Sequence, residues 1–188
     1  MMNRDQILEA SARIISQKGY HAASMQDIAE AVNLQKASLY HHFSSKQEIL
    51  LALLDQALDL LIERVSTVLA LDIPADEKLC HAMRVYLGTL EEHAALASVL
   101  LLEHRSLDPE FHERHIPRRD RFERLWRDLI QEGVDSGMFH DTGTTMTVRA
   151  LLGVMNWTIT WYRPSGSLSI GQISDQFATL VLDGLRRH

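Results

Sequence analysis

The sequence predicts an all-α protein of about nine helices, and three observations predict it. Apolar residues recur at helical spacing along most of the 188 residues, and no segment alternates apolar and polar residues as a half-buried strand does. Only 4 Pro and 9 Gly interrupt the chain, fewer than a turn-rich β protein needs. Leu, Ala and Arg are the three commonest residue types, and these lose little rotamer freedom in a helix. A hydrophobic share of 46% supplies a core and argues against disorder.

The first helix spans 3–18. Asn3 and Gln6 form a capping-box start, Ile7, Ala10 and Ile14 with Leu8, Ala12 and Ile15 make the apolar stripe, and Gly19 stands where a left-handed cap falls. Ser24 and Asp27 open a short helix through Ile28, Ala29 and Val32, and Asn33 follows as a turn residue that tolerates positive φ. A second short helix runs from Gln35 to His42, closed by Phe43. Ser45 and Glu48 form another capping box and launch a long helix to Ala70, with Ile49, Leu53, Leu60 and Leu69 among its apolar positions. Pro74 breaks the chain, and helical patterns follow over 76–92 and 94–105. Pro109 begins an arginine-rich helix to Ser136, with a bend expected at Pro117 and a stop at Gly137. The last two helices cover Thr144 to Tyr162 and Ser169 to Leu185, joined through Pro164, Ser165 and Gly166.

The net charge of −6 is the wrong sign for a chain that coats itself in nucleic acid. Its distribution matters more. Five of the 19 Lys/Arg and five of the 25 Asp/Glu lie in residues 1–50, which are therefore neutral, and residues 51–188 hold the whole deficit. The longest apolar run, Ala94 to Leu102, falls far short of the roughly 20 residues that span a bilayer, so no membrane partner is expected. Asp5 and Glu9 interrupt any secretion signal, and a lone Cys80 cannot form an internal disulfide, which fits a cytoplasmic protein. Enzyme chemistry finds no purchase. His112 and His115 are spaced i,i+3 where a zinc-protease helix needs i,i+4; Cys80 and His81 point apart; no glycine-rich phosphate loop or nucleophile elbow is present. No cofactor and no metal are expected.

Two short helices behind a longer one meet the needs of a helix-turn-helix. Ile28, Val32, Leu34, Leu39 and Phe43 can form a small core, and Ala29 lets the two short helices approach closely. The second helix must then present a polar face to a major groove about 12 Å wide. Gln35, Lys36, Ser38, Tyr40 and His41 supply donors and a stacking surface.

The stretch from Ser24 to Leu50 resembles the DNA-binding motif of the TetR family of transcription regulators. Ile28-Ala29, Leu39-Tyr40-His41-His42-Phe43 and Lys46 with Leu50 stand at that family's spacing, and the likeness extends over about residues 4–50. The resemblance implies that Gln35 and Lys36 face base edges, where Gln suits adenine and Lys suits guanine. It implies phosphate contacts for Tyr40, His41 and Lys46, the last at a helix start whose free N–H groups attract phosphate, and likewise for Ser24. Asn33 replaces a common Gly and Gln35 a common small hydroxyl residue, so the operator sequence does not follow from the likeness.

Family members bind DNA as dimers whose last two helices pair as a four-helix bundle. The residues agree: Ile173, Phe177, Leu180, Val181 and Gly184 recur at helical spacing in the last helix, and the helix before it, with Leu151 and Trp161, is apolar almost all round. A homodimer on a palindromic operator of double-stranded DNA is expected. A narrower likeness covers Gly153 to Leu168, which resembles TetR-type regulators of fatty-acid, steroid or aromatic-acid breakdown, several of which respond to acyl-CoA thioesters. That likeness makes a small-molecule effector, an acyl-CoA among the options, an expected partner. Met83, Tyr86, Leu87, Leu101, Trp126, Met155, Asn156 and Trp157 are candidates for an apolar tunnel, with Arg118 and Arg121 for phosphates. Two alternatives stay open here: the tryptophans can instead pack a dimer interface, and the arginines can form i,i+4 pairs on a wet surface, as Glu110 with Arg114 does. The expected division is a DNA-binding domain over 1–46 and an effector-binding and dimerisation domain over 47–188. An architectural DNA binder without effector is the alternative, opposed by the acidic remainder; a small helical enzyme is a weaker one.

Overall fold

The computed structural model of the chain describes residues 3–186; the outer ends of both expected domains, residues 1–2 and 187–188, lie outside them. Among the described residues there are nine α-helices: α1 (Arg4–Lys18), α2 (Met25–Ala31), α3 (Lys36–Tyr40), α4 (Lys46–Leu69), α5 (Ala75–Glu92), α6 (Ala94–Glu103), α7 (Pro109–Asp135), α8 (Thr144–Trp161) and α9 (Ile170–Leu185). A 3-10 turn, His104–Ser106, follows α6. No strand occurs among them. Pro117 lies inside α7 without ending it. No single helix is long and apolar enough to cross a membrane.

The described residues form two compact units, 3–59 with 93–119 and 60–92 with 120–186, so the division falls inside α4 and α7. Within the first unit α1 packs along α6.

In the first unit the ends of the helices are held as their sequences require. Asn3 and Gln6 cap α1 reciprocally, at 2.9 Å and 3.1 Å, and Gly19 leaves α1 with φ +80°. Ser24 and Asp27 do the same for α2. Asn33 takes φ +53° in the turn to α3, and the Leu34 N–H donates to the Ala29 carbonyl at 2.9 Å. At α4 the box is shifted by one residue: Ser45 Oγ accepts the Glu48 N–H, while the Glu48 carboxylate reaches back to the Ser44 N–H. Those Ser44 hydrogen bonds hold the Glu48 carboxyl below its ordinary range. Ile7, Ile15, Ile28, Leu39, Phe43, Ile49 and Leu53 are buried together as the core.

In the second unit α5 packs along α9 and touches α8. Met83, Tyr86 and Leu87 share the buried face of α5. Lys78, itself buried, pairs with Glu132 of α7 at 2.7 Å. The end of α7 is closed by Phe139, which is fully buried, and a Cβ on Gly133 would fall 2.1 Å from its ring.

Candidate nucleic-acid interface and effector core

α3 places its residues in two classes. Leu39 and Phe43 are buried, Leu34 is half-buried, and between them Gln35, Lys36, Tyr40 and His41 are exposed with Ser38 half-buried. Gln35 ends the preceding turn in an extended conformation and makes no capping bond, so its amide is free to reach outward. Arg4, from the start of α1, braces the far end of α3: its guanidinium lies 4.2 Å from the Phe43 ring centre and donates to the His42 carbonyl at 3.3 Å. The result is a short polar ridge fixed from behind.

Two expected phosphate contacts have other work. The Lys46 ammonium donates to the carbonyls of Tyr20 and Ala23, at 2.9 Å and 2.8 Å, and sits 4.3 Å from the Tyr20 ring centre. Two of its three N–H donors are taken, so it braces the connection between α1 and α2 before it can serve a phosphate. Burial pushes the Tyr20 phenol up to about 12, which keeps that ring neutral beneath the ammonium. The exposed Ser24 hydroxyl is bonded to Asp27 at 2.6 Å. A bond from Lys18 holds the Asp27 carboxyl far below the carboxylate range, with Ser24 adding to it.

Gln47, which the sequence does not single out, clamps the loop after α6. Its amide donates to the Ser106 carbonyl at 2.9 Å and accepts the Asp108 N–H at 3.1 Å.

Of the effector candidates, Met83, Tyr86, Leu87, Trp126 and Met155 are buried in the second unit and Asn156 is half-buried beside them. The Tyr86 hydroxyl donates to Asn156 Oδ1. Leu101 and Arg118 belong to the first unit. Arg118 is committed elsewhere: Nε meets both Asp59 oxygens at 3.0 and 3.1 Å, and Nη1 meets Asp55 at 2.7 Å. The other Asp55 oxygen lies 2.9 Å from His115 Nδ1. Two carboxylates already match the Arg118 charge, which leaves little for a phosphate. Arg121 is exposed.

Trp157 departs from the tunnel set. It is 65% exposed and Trp161 44% exposed, on the outer side of α8. On α9, Leu180 is 69% exposed, Gly184 is exposed, and Phe177 and Val181 are half-buried. Leu151 and Ile173, expected at a partner interface, are instead 2% and 3% exposed within their own unit. α8, apolar on most of its circumference, has two candidate stripes, and the inward one is Val148, Leu151, Leu152 and Met155. Among the described residues no group of three His, Cys, Asp or Glu is arranged to hold a metal.

A buried three-helix head that offers a short polar helix, joined to a helical remainder, defines a helix-turn-helix transcription regulator. The chain belongs to the TetR family. The family model for bacterial regulatory proteins of the tetR family matches residues 7–53, and the tetracyclin repressor-like C-terminal domain matches residues 72–185. The transcriptional repressor KstR2 of Mycolicibacterium smegmatis is 30% identical over 97% of this chain and 90% of its own. Among solved structures, the TetR family regulator PfmR of Thermus thermophilus is 36% identical with a TM-score of 0.88, over 97% of this chain and 100% of its own. AibR, solved with isovaleryl coenzyme A and operator DNA, is 28% identical with a TM-score of 0.88, over 94% of this chain and 96% of its own. These proteins are regulators, not enzymes, as the sequence led us to expect.

Proposed function

We propose that the chain is a ligand-responsive repressor that binds a palindromic operator as a homodimer and is released by a hydrophobic or acyl-CoA-type effector. The observation that carries this reading is the outward face of exposed Gln35, Lys36, Tyr40 and His41 with half-buried Ser38, over buried Leu39 and Phe43. Gln35 and Lys36 read base edges; Tyr40 and His41 hold phosphates, joined by Ser24 and by the third donor of Lys46. Charge supports specific reading over non-specific coating, since the rest of the chain is acidic.

Pairing follows from the outward face of α8 and α9. Trp157, Trp161 and Leu180 are large apolar side chains left exposed, and covering them is what a partner copy would supply. Open space above Gly153 and Gly184 lets a second copy approach closely. Two-fold symmetry then sets half-sites about one helical turn, some 34 Å, apart. The effector class rests on the apolar core around Tyr86 and on AibR, which was solved with a CoA thioester. Ligand acts through α4, one unbroken helix from Lys46 to Leu69 that begins beside the head. A coupling of about 1–3 kcal/mol alters operator affinity some 5–150-fold.

The test is a titration of operator fragments, selected from the host genome by the protein, with and without isovaleryl-CoA and longer acyl-CoAs. Saturable, sequence-selective binding by a dimer that weakens with a thioester supports the reading. Selective binding that no thioester alters favours an architectural role in the cytoplasm, and the absence of selective binding removes the reading altogether.

A further inference from the structure

The core around Tyr86 contains polar chemistry that its own packing does not use. Trp126 is fully buried, and its indole Nε1–H has no acceptor among the described residues. Buried donors are nearly always paired, because leaving water costs them a hydrogen bond that something must replace. The ring itself is tightly held. Tyr86 meets it at 90° with 5.8 Å between centroids, and Phe122 at 77° with 6.3 Å. The donor is therefore fixed in place, not free to turn toward an acceptor elsewhere.

Asn156 adds a second donor. Its Oδ1 accepts the Tyr86 hydroxyl, and its Nδ2 carries two N–H donors. Tyr86 thus links the two: its ring against Trp126, its hydroxyl on Asn156. Among the described residues of this unit, Lys78 is the buried cation, and it is paired with Glu132. Donors without a free buried cation suit a neutral oxygen and reject a carboxylate, whose charge would be stranded.

Resting on the effector reading above, we infer that Trp126 and Asn156 are specificity-determining donors that take a neutral carbonyl oxygen of the effector, while Met83, Leu87 and Met155 take its hydrocarbon. The carbonyl comes either from the thioester itself or from a ketone along the chain. A purely hydrocarbon group in its place leaves the indole N–H unpaired in the complex as well.

Three probes separate these cases: octanoyl-CoA, which has the thioester carbonyl; S-octyl-CoA, a thioether without any; and S-(7-oxooctyl)-CoA, which has a chain ketone alone. Calorimetry gives affinities, and 15N-indole spectra report the Trp126 N–H, assigned by its loss in Trp126→Phe. One carbonyl-bearing probe is expected to bind about tenfold tighter than S-octyl-CoA, a difference of about 1.4 kcal/mol, and to move the Trp126 proton downfield. Trp126→Phe removes the donor and keeps an aromatic ring, so the preference falls to about onefold in that variant. Should that variant fail to fold, Trp157→Phe and Trp161→Phe, both at exposed positions, assign the Trp126 signal by elimination, and its shift in the wild type decides. Equal affinity for all three probes with an unmoved indole signal overturns the inference and leaves the thioester reading intact. If none of the three binds, the thioester reading fails and the inference falls with it.

Discussion

Replacing Lys46 by methionine keeps the length and apolar stem of the side chain and removes its ammonium. Two charge-assisted bonds, to the Tyr20 and Ala23 carbonyls, go with it, as does the contact over the Tyr20 ring. Bonds to a charged donor are worth about 1.5–3 kcal/mol each when one partner is removed, and a part-exposed cation–π contact about 0.5–1 kcal/mol. Lys46 is only half-buried, so water recovers some of that, and a net loss of about 2–4 kcal/mol is expected. In urea, with a slope of about 1–3 kcal/mol per molar, the helical signal at 222 nm should fall at a midpoint lower by about 1 M or more. The salt dependence of operator binding separates this from a phosphate role, since each phosphate contact contributes about −0.9 to the slope. A variant as stable as the wild type would refute the brace; if its slope were also shallower by about 0.9, Lys46 would be a phosphate contact alone.

Three further expectations follow from the geometry. Gly133→Ala places a methyl 2.1 Å from the Phe139 ring, and displacing that buried ring should cost about 1–3 kcal/mol, read as a lower thermal midpoint. Gln47→Met breaks both bonds to the loop at Ser106 and Asp108; operator affinity without effector should hold, while the effector-induced change shrinks about fivefold, which paired titrations measure. Asp27 and Glu48 both have depressed folded pKa values, so their stabilisation is present above the ordinary carboxylate range near 4 and is lost as pH falls through the lower folded values. Acid titration of the wild type should therefore show a loss below about pH 4 that is smaller in Asp27→Asn.

The helices were legible because period and caps are local. Asn3 with Gln6, Ser24 with Asp27, and Asn33 in the turn behave as their spacing predicts, and α1, α8 and α9 start and end within about a residue or two of expectation. α3 is shorter than Gln35 to His42, since Gln35 is extended and His41 and His42 turn toward Phe43. The inward face of the head was legible too: Leu39 and Phe43 are the two large residues of that stretch that repeat four apart.

Long-range pairing was not. Nothing near Lys46 in sequence announces carbonyls 23 and 26 residues away, and Arg118 finds its carboxylates 59 and 63 residues away. The phase of α8 misled for a different reason. With apolar residues on more than one side, periodicity cannot choose between the stripe of Leu151 and that of Trp157, and packing buries the first. Phe122 was missed although it lies one turn before Trp126, the spacing that puts two side chains on one face.

Base reading by α3 is the claim on which the proposed function most directly depends. Anisotropy titrations should compare the wild type with Gln35→Ala and Lys36→Ala on a selected operator and on scrambled DNA of equal length. Each variant is expected to lose about 1–3 kcal/mol on the operator, roughly 5–150-fold, and to bind scrambled DNA nearly as the wild type does, apart from one charge's effect for Lys36. Both variants retaining wild-type preference for the operator would contradict that claim.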